Sequence, residues 1–278
     1  MLGNRWLETV IGEAPVFHVD LGTGLGHFTA ALATAYPQSR WLAIEIDGKI
    51  ARRAAKRIAR QSPHNTAVLA ADARQALLEA MHSCTITHLW INFPDPWPKD
   101  RHHDRRHTWP PMWNLLIDRI QLGGWLHLTT DVPAYAAAFR QQATNDPRLC
   151  DQQTCTWRKR AATVETKYER KWRDVGRKPL RFSWRKIGHR HNKQLHPRRV
   201  APPAIRGHFL DPGVRQAGNL LVKSFAPRGH AARQQTHLLI DPVWHLHTRL
   251  LVDLDSGNLT LQGLWTDAKA NAVSRLFD

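Results

Sequence analysis

The chain has only three cysteines among its 278 residues, Cys84, Cys150 and Cys155. They are too few and too scattered for a disulfide framework, and the Cys150/Cys155 spacing is not that of a zinc site, so they read as reduced thiols. No apolar run approaches the roughly 20 residues a spanning helix needs, and the start, Met1 to Gly12, lacks a basic segment followed by an apolar one. A soluble, cytoplasmic protein with no membrane span is expected. Acid is also scarce: 23 Asp and Glu stand against 40 Lys and Arg, a net charge of +17. Such a balance points away from acidic metabolites and toward a polyanion such as nucleic acid, although a membrane surface would attract it too. His103 and His107 could stand one helical turn apart, but no third ligand accompanies them and no metal site is expected. There is no internal repeat.

Apolar residues make up 42% of the chain, ample for a core. The length fits one large domain, or a medium domain with a small appendage. The densest chemistry lies between Ile91 and His107. Pro94, Pro96 and Pro98 fix φ and remove three backbone donors, so a stiff irregular loop is predicted. It leaves a buried strand, Thr85 to Ile91, at its carboxyl end, which is where open α/β sheets bind ligands. Asp95 sits between two prolines, followed by the indole of Trp97 and a basic run of Lys99, Arg101, Arg105 and Arg106. A rigid acid beside an aromatic ring and a cationic rim suits a nucleotide within a polyanion.

Upstream, the strand Val16 to Leu21 runs into Gly22-Thr23-Gly24-Leu25-Gly26-His27 and an alanine-rich helix, the strand, glycine turn and helix that open a nucleotide-binding sheet. Asp20 ends the strand, and His27 stands where a dinucleotide fingerprint has its third glycine, so the pattern leans away from NAD. The next strand, Arg40 to Asp47, ends in acids about 20 residues past the glycines, where a carboxylate can hold a ribose diol. Glu45 is the better candidate, and Asp47 reads equally as a helix cap. A basic helix spans Gly48 to Gln61, its charge read as a solvated face. The strand Thr66 to Ala73 again carries an acid, Asp72, and a helix from Arg74 to Met81 follows.

A helix over Pro110 to Ile120, a strand over Gly123 to Asp131 and a helix over Tyr135 to Gln142 continue the alternation. Acids that close successive strands should converge on one sheet edge. S-adenosylmethionine, with its sulfonium, amino group, ribose diol and adenine amine and no phosphate, suits such an edge. From Arg158 to Arg199 the chain is dense in Lys and Arg against only Glu165, Glu169 and Asp174. Within it, Thr166-Lys167-Tyr168-Glu169 can hydrogen-bond and stack on a base, and Leu180 to Arg185 reads as a last strand.

The predicted organisation is a Rossmann-like α/β domain over 1–187, a His- and Pro-rich basic linker over 188–205, and a small α+β appendage over 206–278. In the appendage, strands are predicted over Asn219 to Ser224 and Thr236 to Ile240. A hairpin of Thr248 to Asp253 with Leu259 to Leu264 turns at Asp255-Ser256-Gly257-Asn258, and a helix spans Thr266 to Phe277. Its scattered histidines read as structural.

The loop Phe93-Pro94-Asp95-Pro96-Trp97-Pro98-Lys99 through Arg101-His102-His103-Asp104-Arg105-Arg106, the acid-ended strands and Thr166 to Glu169 together resemble the bacterial tRNA guanine-N7 methyltransferase family, from about Ala14 to Lys186. The resemblance implies a class I methyltransferase sheet with helices on both faces, S-adenosylmethionine as cofactor and a guanine of the tRNA variable loop as acceptor. It places cofactor contacts on Asp20, Glu45, Asp72 and Asp95, beside Gly22 and Gly24 of the glycine turn. It places substrate contacts on Lys99, Asp131, Thr166, Lys167, Tyr168 and Glu169, with Asp95 as the active-site residue. Asp20 stands where the family usually has Glu, Tyr168 where it usually has Phe, and the basic segment that normally precedes the first strand is nearly absent. The residues leave two other readings open: a methyltransferase acting on another RNA or a small molecule, and a catalytically inactive RNA-binding module. They say nothing of the oligomeric state.

Overall fold

The computed structural model describes residues 16–61, 64–152, 155–164, 169, 178–189, 213–217, 220–224, 234–241, 246–253, 259–262, 269, 273–275 and 277. Contacts divide the chain into two compact units, 1–195 and 196–278.

The first unit is built on a seven-stranded sheet of order β3-β2-β1-β4-β5-β7-β6. The strands are β1 (Phe17–Leu21), β2 (Arg40–Glu45), β3 (Thr66–Ala70), β4 (Ile86–Asn92), β5 (Ile120–Thr130), β6 (Leu149–Asp151) and β7 (Leu180–Lys186). β1 to β5 pair in parallel, and β7 runs antiparallel to both β5 and β6. Every residue of β1 is buried and all but the first of β2, which is why these strands read as unbroken apolar runs: a parallel sheet is covered on both faces.

The helices are α1 (His27–Ala35), α2 (Gly48–Gln61), α3 (Ala73–Gln75), α4 (Pro110–Arg119), α5 (Pro133–Thr144) and α6 (Thr156–Ala161). Phe28, Leu32 and Ala33 of α1 and Ala161 of α6 pack with Trp41 and Trp90 on one face. On the other, Phe139 of α5 lies between Trp113 of α4 and Trp184 of β7, at 5.2 and 5.5 Å between ring centroids. The Rossmann-like arrangement with helices on both faces is therefore as expected. Its order reverses between β1 and β4, so the switch point where such sheets bind ligands lies beyond the carboxyl ends of those two strands.

Several details differ from expectation. The helix over Arg74 to Met81 is a short α-turn that continues as a π-turn over Ala76–Ala80. β5 begins at Ile120, three residues early, and the register with β4 shifts between Ile86 and His88. β6 and α6 were not expected at all; β6 is three residues long and α6 six, too short to display a period. The loop after β4 has no regular structure until a 3₁₀ turn over Asp100–Arg105.

The second unit holds a five-stranded antiparallel sheet, β12-β11-β10-β9-β8. Its strands are β8 (Gly213–Ala217), β9 (Leu220–Ser224), β10 (Gln234–Asp241), β11 (Leu246–Asp253) and β12 (Leu259–Gln262). β8 was not expected, whereas the β11–β12 hairpin was. Val222, Leu239, Leu250, Val252 and Leu261 form the core with Val273 and Phe277, which lie in the segment predicted to be helical. The proposed linker from residue 190 onward lies outside the described residues.

Candidate active site

β1 delivers Asp20 to the switch point, and its carboxylate is 1% exposed. Thr29 of α1 donates its hydroxyl to Asp20 Oδ2 at 2.7 Å, and Asn92, the last residue of β4, approaches Oδ1 at 3.4 Å. Burial raises the Asp20 pKa, and the bonds from Thr29, Thr23 and Asn92 oppose that rise without cancelling it. An ionised acid this deeply buried is best stabilised by a cation placed against it.

The turn after β1 is held by the neighbouring strand, since the N–H groups of Gly22 and Thr23 both donate to the Ile44 carbonyl, at 2.9 and 3.0 Å. Glu45 then fixes the turn from its side chain. Oε2 accepts from the Gly24 N–H at 2.9 Å and Oε1 from the Asp47 N–H at 3.0 Å, leaving each oxygen a lone pair for a ligand hydroxyl. A Cβ added at Gly22 or Gly24 would meet nothing within 4 Å, so an open cradle lies over the turn. At Gly26 the same atom would fall 3.1 Å from Ala54 Cβ. The absence of a side chain there lets the start of α1 close onto α2. Beside Glu45, Ile46 is 69% exposed, an apolar surface at the same edge.

Asp72 follows β3 at this edge, but its carboxylate is already engaged. Oδ1 accepts from Arg74 N and Nε, at 2.7 and 3.1 Å, and Oδ2 from the Arg74 guanidinium at 2.8 Å. Burial alone would raise its pKa, but the Arg74 bonds outweigh burial and lower it. Asp20 and Glu45 therefore sit together around the glycine turn, and Asp72, two residues beyond the end of β3, is paired with Arg74. Asp47 is the helix cap, its Oδ1 accepting from Lys49 N and Ile50 N at 2.8 and 3.0 Å.

The loop after β4 holds Asp95 by unusual means. Phe93 and Trp97, two residues to either side, have φ of 49° and 42°, a left-handed backbone that costs bulky residues about 1–3 kcal/mol each. Phe93 is pinned by its N–H, which donates to the Thr129 carbonyl of β5 at 2.7 Å. Trp97 is pinned by Arg106, whose Nε donates to the Trp97 carbonyl at 2.9 Å while a terminal nitrogen reaches the Pro98 carbonyl at 3.1 Å. Between these anchors Asp95 is exposed, and it has no hydrogen-bond partner among the described residues. Lys99 is exposed beyond it.

Trp97 was expected to offer an aromatic face beside a cationic rim. The Arg105 guanidinium of that rim lies over its ring, 4.6 Å from the centroid, with His102 edge-on at 5.5 Å. Asp131 follows β5 at the same sheet edge, half-buried. Thr166, Lys167 and Tyr168 lie outside the described residues. Glu169 is half-buried and ion-paired to Arg181 of β7. Thr29, Asn92 and Arg106 hold the predicted acids in place without having been identified as site residues, because their partners lie up to 72 residues away in sequence.

A second polar group lies inside the sheet. His88, His127 and Cys155 are buried, with potential ligand atoms within 4.8 Å of one another. His88 Nδ1 and His127 Nε2 are 3.0 Å apart, with ring centroids 5.3 Å apart and planes 13° from parallel. Little more than the two ring radii separates those distances, so the nitrogens meet head-on along a shared proton and do not converge on an ion. The chain continues from His127 Nδ1 to Ser183 Oγ at 2.8 Å.

The cradle fits S-adenosylmethionine. A buried acid can face its positively charged end, Glu45 can accept from the ribose, and the open glycine turn admits the ligand close to the backbone. Residues 14–182 match the Methyltransf_4 model of methyltransferases. A protein of Nitrosomonas europaea named tRNA (guanine-N(7)-)-methyltransferase is 29% identical over 170 residues, covering 61% of this chain and 76% of the relative. Proteins of the same name from Treponema pallidum and Mycobacterium avium are 34% and 32% identical, over 57% and 62% of this chain and 62% and 66% of their own lengths. With residues 14–182 carrying both the family match and the acid-lined cradle, the chain belongs to the Methyltransf_4 family of methyltransferases, with S-adenosylmethionine as its cofactor.

Proposed function

We propose that this chain methylates N7 of a guanine in tRNA. The observation that carries the reading is Asp95, an exposed carboxylate locked between two left-handed residues at the sheet edge that holds Asp20 and Glu45. When bound, S-adenosylmethionine supplies an electrophilic methyl group on a sulfonium. Guanine N7 has a free lone pair, so no proton need be removed before attack, and a general base is unnecessary. The base becomes cationic as it is methylated. A carboxylate already fixed beside it stabilises that charge without reorganising, and so acts more strongly on the transition state than on the neutral ground state. Asp20 and Glu45 orient the cofactor, and the Arg106 clamp keeps Asp95 aligned. The relatives' shared name supports tRNA as the acceptor.

The test is incubation with bulk tRNA and methyl-labelled S-adenosylmethionine, followed by nucleoside mapping. Label in 7-methylguanosine is expected. Label in a different nucleoside, or none in tRNA with the cofactor bound, would refute the reading.

A further inference from the structure

Helix α2 carries Lys49, Arg52, Arg53, Lys56, Arg57 and Arg60 in its 14 residues and no acid at all. Ala51, Ala54 and Ile58 are its buried side. At about 100° per residue, Lys49, Arg52, Arg53, Lys56 and Arg60 all fall within roughly one quadrant of the helix, opposite that buried side, and all five are exposed. Arg57, at the margin, is half-buried and donates to the Leu25 carbonyl at 3.0 Å. Lys49 lies beside the cap Asp47. Arg52, Arg53, Lys56 and Arg60 have no acidic partner among the described residues.

A merely solvated helix face usually mixes signs, because opposite charges three or four residues apart support the helix and like charges weaken it. Here Lys49 with Arg53, Arg52 with Lys56, and Lys56 with Arg60 are all like pairs at four-residue spacing. The cations of the first turns also oppose the helix dipole. Among the described residues no acid offsets the charge of Arg52, Arg53, Lys56 and Arg60, and the complement that suits them is an external polyanion. From Lys49 to Arg60 the stripe spans about 16 Å at ~1.5 Å per residue. That length can follow about four or five phosphates of one strand at ~3.4 Å each along a duplex. α2 begins three residues after Glu45 closes β2, so the stripe starts at the sheet edge that carries Asp95 and leads away from it.

We infer that the exposed face of α2 is a docking surface for the phosphate backbone of the RNA substrate, distinct from the loop that holds the reacting base. The inference rests on the proposed tRNA activity. Its test uses the full chain with Arg52, Arg53, Lys56 and Arg60 all changed to Gln, measuring tRNA Kd across a salt series, cofactor Kd and Tm. The expected result is tRNA binding at least tenfold weaker near 0.1 M salt, with the slope of log affinity against log salt shallower by about 3, at ~0.7–0.9 per lost contact. Cofactor Kd should stay unchanged, and Tm should hold or rise as the repulsion is relieved. Single changes Arg52→Gln and Lys56→Gln should each flatten the slope by about 1, which serves if the fourfold variant fails to fold.

Unchanged tRNA Kd and slope in a folded variant, while wild type still methylates tRNA, would overturn this inference alone. A wild type that neither methylates tRNA nor binds it with a salt slope would overturn the tRNA activity as well. Loss of binding to phosphatidylserine vesicles with tRNA affinity intact would reassign the stripe to a membrane surface.

Discussion

Trp90 donates its indole N–H to His18 Nδ1 at 3.1 Å in the interior of the first sheet. With Nδ1 accepting, the proton of a neutral His18 is on Nε2, a buried atom without a hydrogen-bond partner among the described residues. His18 stacks on Trp41 at 4.0 Å and on His88 at 4.7 Å, and His88 leads through His127 to Ser183. Three imidazoles are thus built into the packing of four adjacent strands, β1, β4, β5 and β7. Among the described residues, none has an acid to balance a charge.

Acid should unfold this protein early. Burial, then the neighbouring histidines, then Arg160 or Arg158 respectively, pushes His18 and His127 well below the ordinary histidine range, and burial with Arg160 pushes His88 to about 3. Groups whose folded pKa is depressed contribute their full stability above the unfolded value of ~6.5 and lose it as pH falls toward the folded value. The slope can reach ~1.4 kcal/mol per pH unit for each histidine. Asp20, with a raised pKa, acts in the opposite direction, but it is one group against three. Urea midpoints measured from pH 7.5 to 4.5 should fall steadily below pH 6.5. A flat profile over that window would show that the layer is not buried as described.

Asp20→Asn should separate cofactor binding from stability. The substitution removes a charge that burial disfavours and keeps an acceptor for Thr29, so Tm should hold or rise. Loss of the charge facing a cation should weaken S-adenosylmethionine binding by about 10- to 100-fold, the range of a charge-assisted hydrogen bond. In the wild type, affinity should increase with pH through the raised Asp20 pKa, because only the ionised acid attracts the cation. Calorimetry with S-adenosylmethionine reads both effects, and an unchanged Kd in the variant would remove Asp20 from the cofactor site.

Legibility in the sequence followed locality. β1, β2 and β4 were readable because strands buried on both faces are continuous apolar runs, and Asp20 and Glu45 because they close such runs. Asp47 as a cap needed only its neighbours. β6 was invisible because three residues of an edge strand exist only through pairing with β7. The histidine layer could not be read, since His18 and His88 meet across 70 residues in a register that no local pattern encodes. Asp72 was read for its position, but its pairing with Arg74, two residues on, depends on a turn geometry that composition does not specify. Trp97 and its cationic rim were legible together, but not that Arg105 on the following 3₁₀ turn is the cation that lies over the ring.

Arg106 should act as a positioning residue for Asp95. Its guanidinium bridges the Trp97 and Pro98 carbonyls, with Asp100 at 3.4 Å. Lysine keeps the charge but cannot span two carbonyls in a fixed fork. With the left-handed Trp97 less firmly held, Asp95 would wander, and a displacement of about 1 Å can cost on the order of 100-fold in rate. Arg106→Lys is therefore expected to lower kcat strongly with cofactor Kd unaltered and tRNA KM changed less. A variant that altered only KM would place Arg106 in RNA binding.

Asp95 itself offers the sharpest separation of mechanisms. It is exposed, in a loop, and outside the packed core, so Asp95→Asn should leave folding and Tm near wild type. The amide keeps the size and one acceptor but removes the negative charge that offsets a cationic purine. Loss of a preorganised electrostatic contact costs about 3–4 kcal/mol, roughly 100- to 1000-fold in rate. If Asp95 were instead a general base, some rate would return at high pH as hydroxide replaced it. N7 carries no proton to remove, so the deficit should persist across the alkaline range. Single-turnover rates with tRNA saturating, measured from pH 6.5 to 9.5, distinguish the two: a parallel offset from wild type supports charge stabilisation. Convergence at the alkaline end would make Asp95 a base, and wild-type rates throughout would remove it from the chemistry.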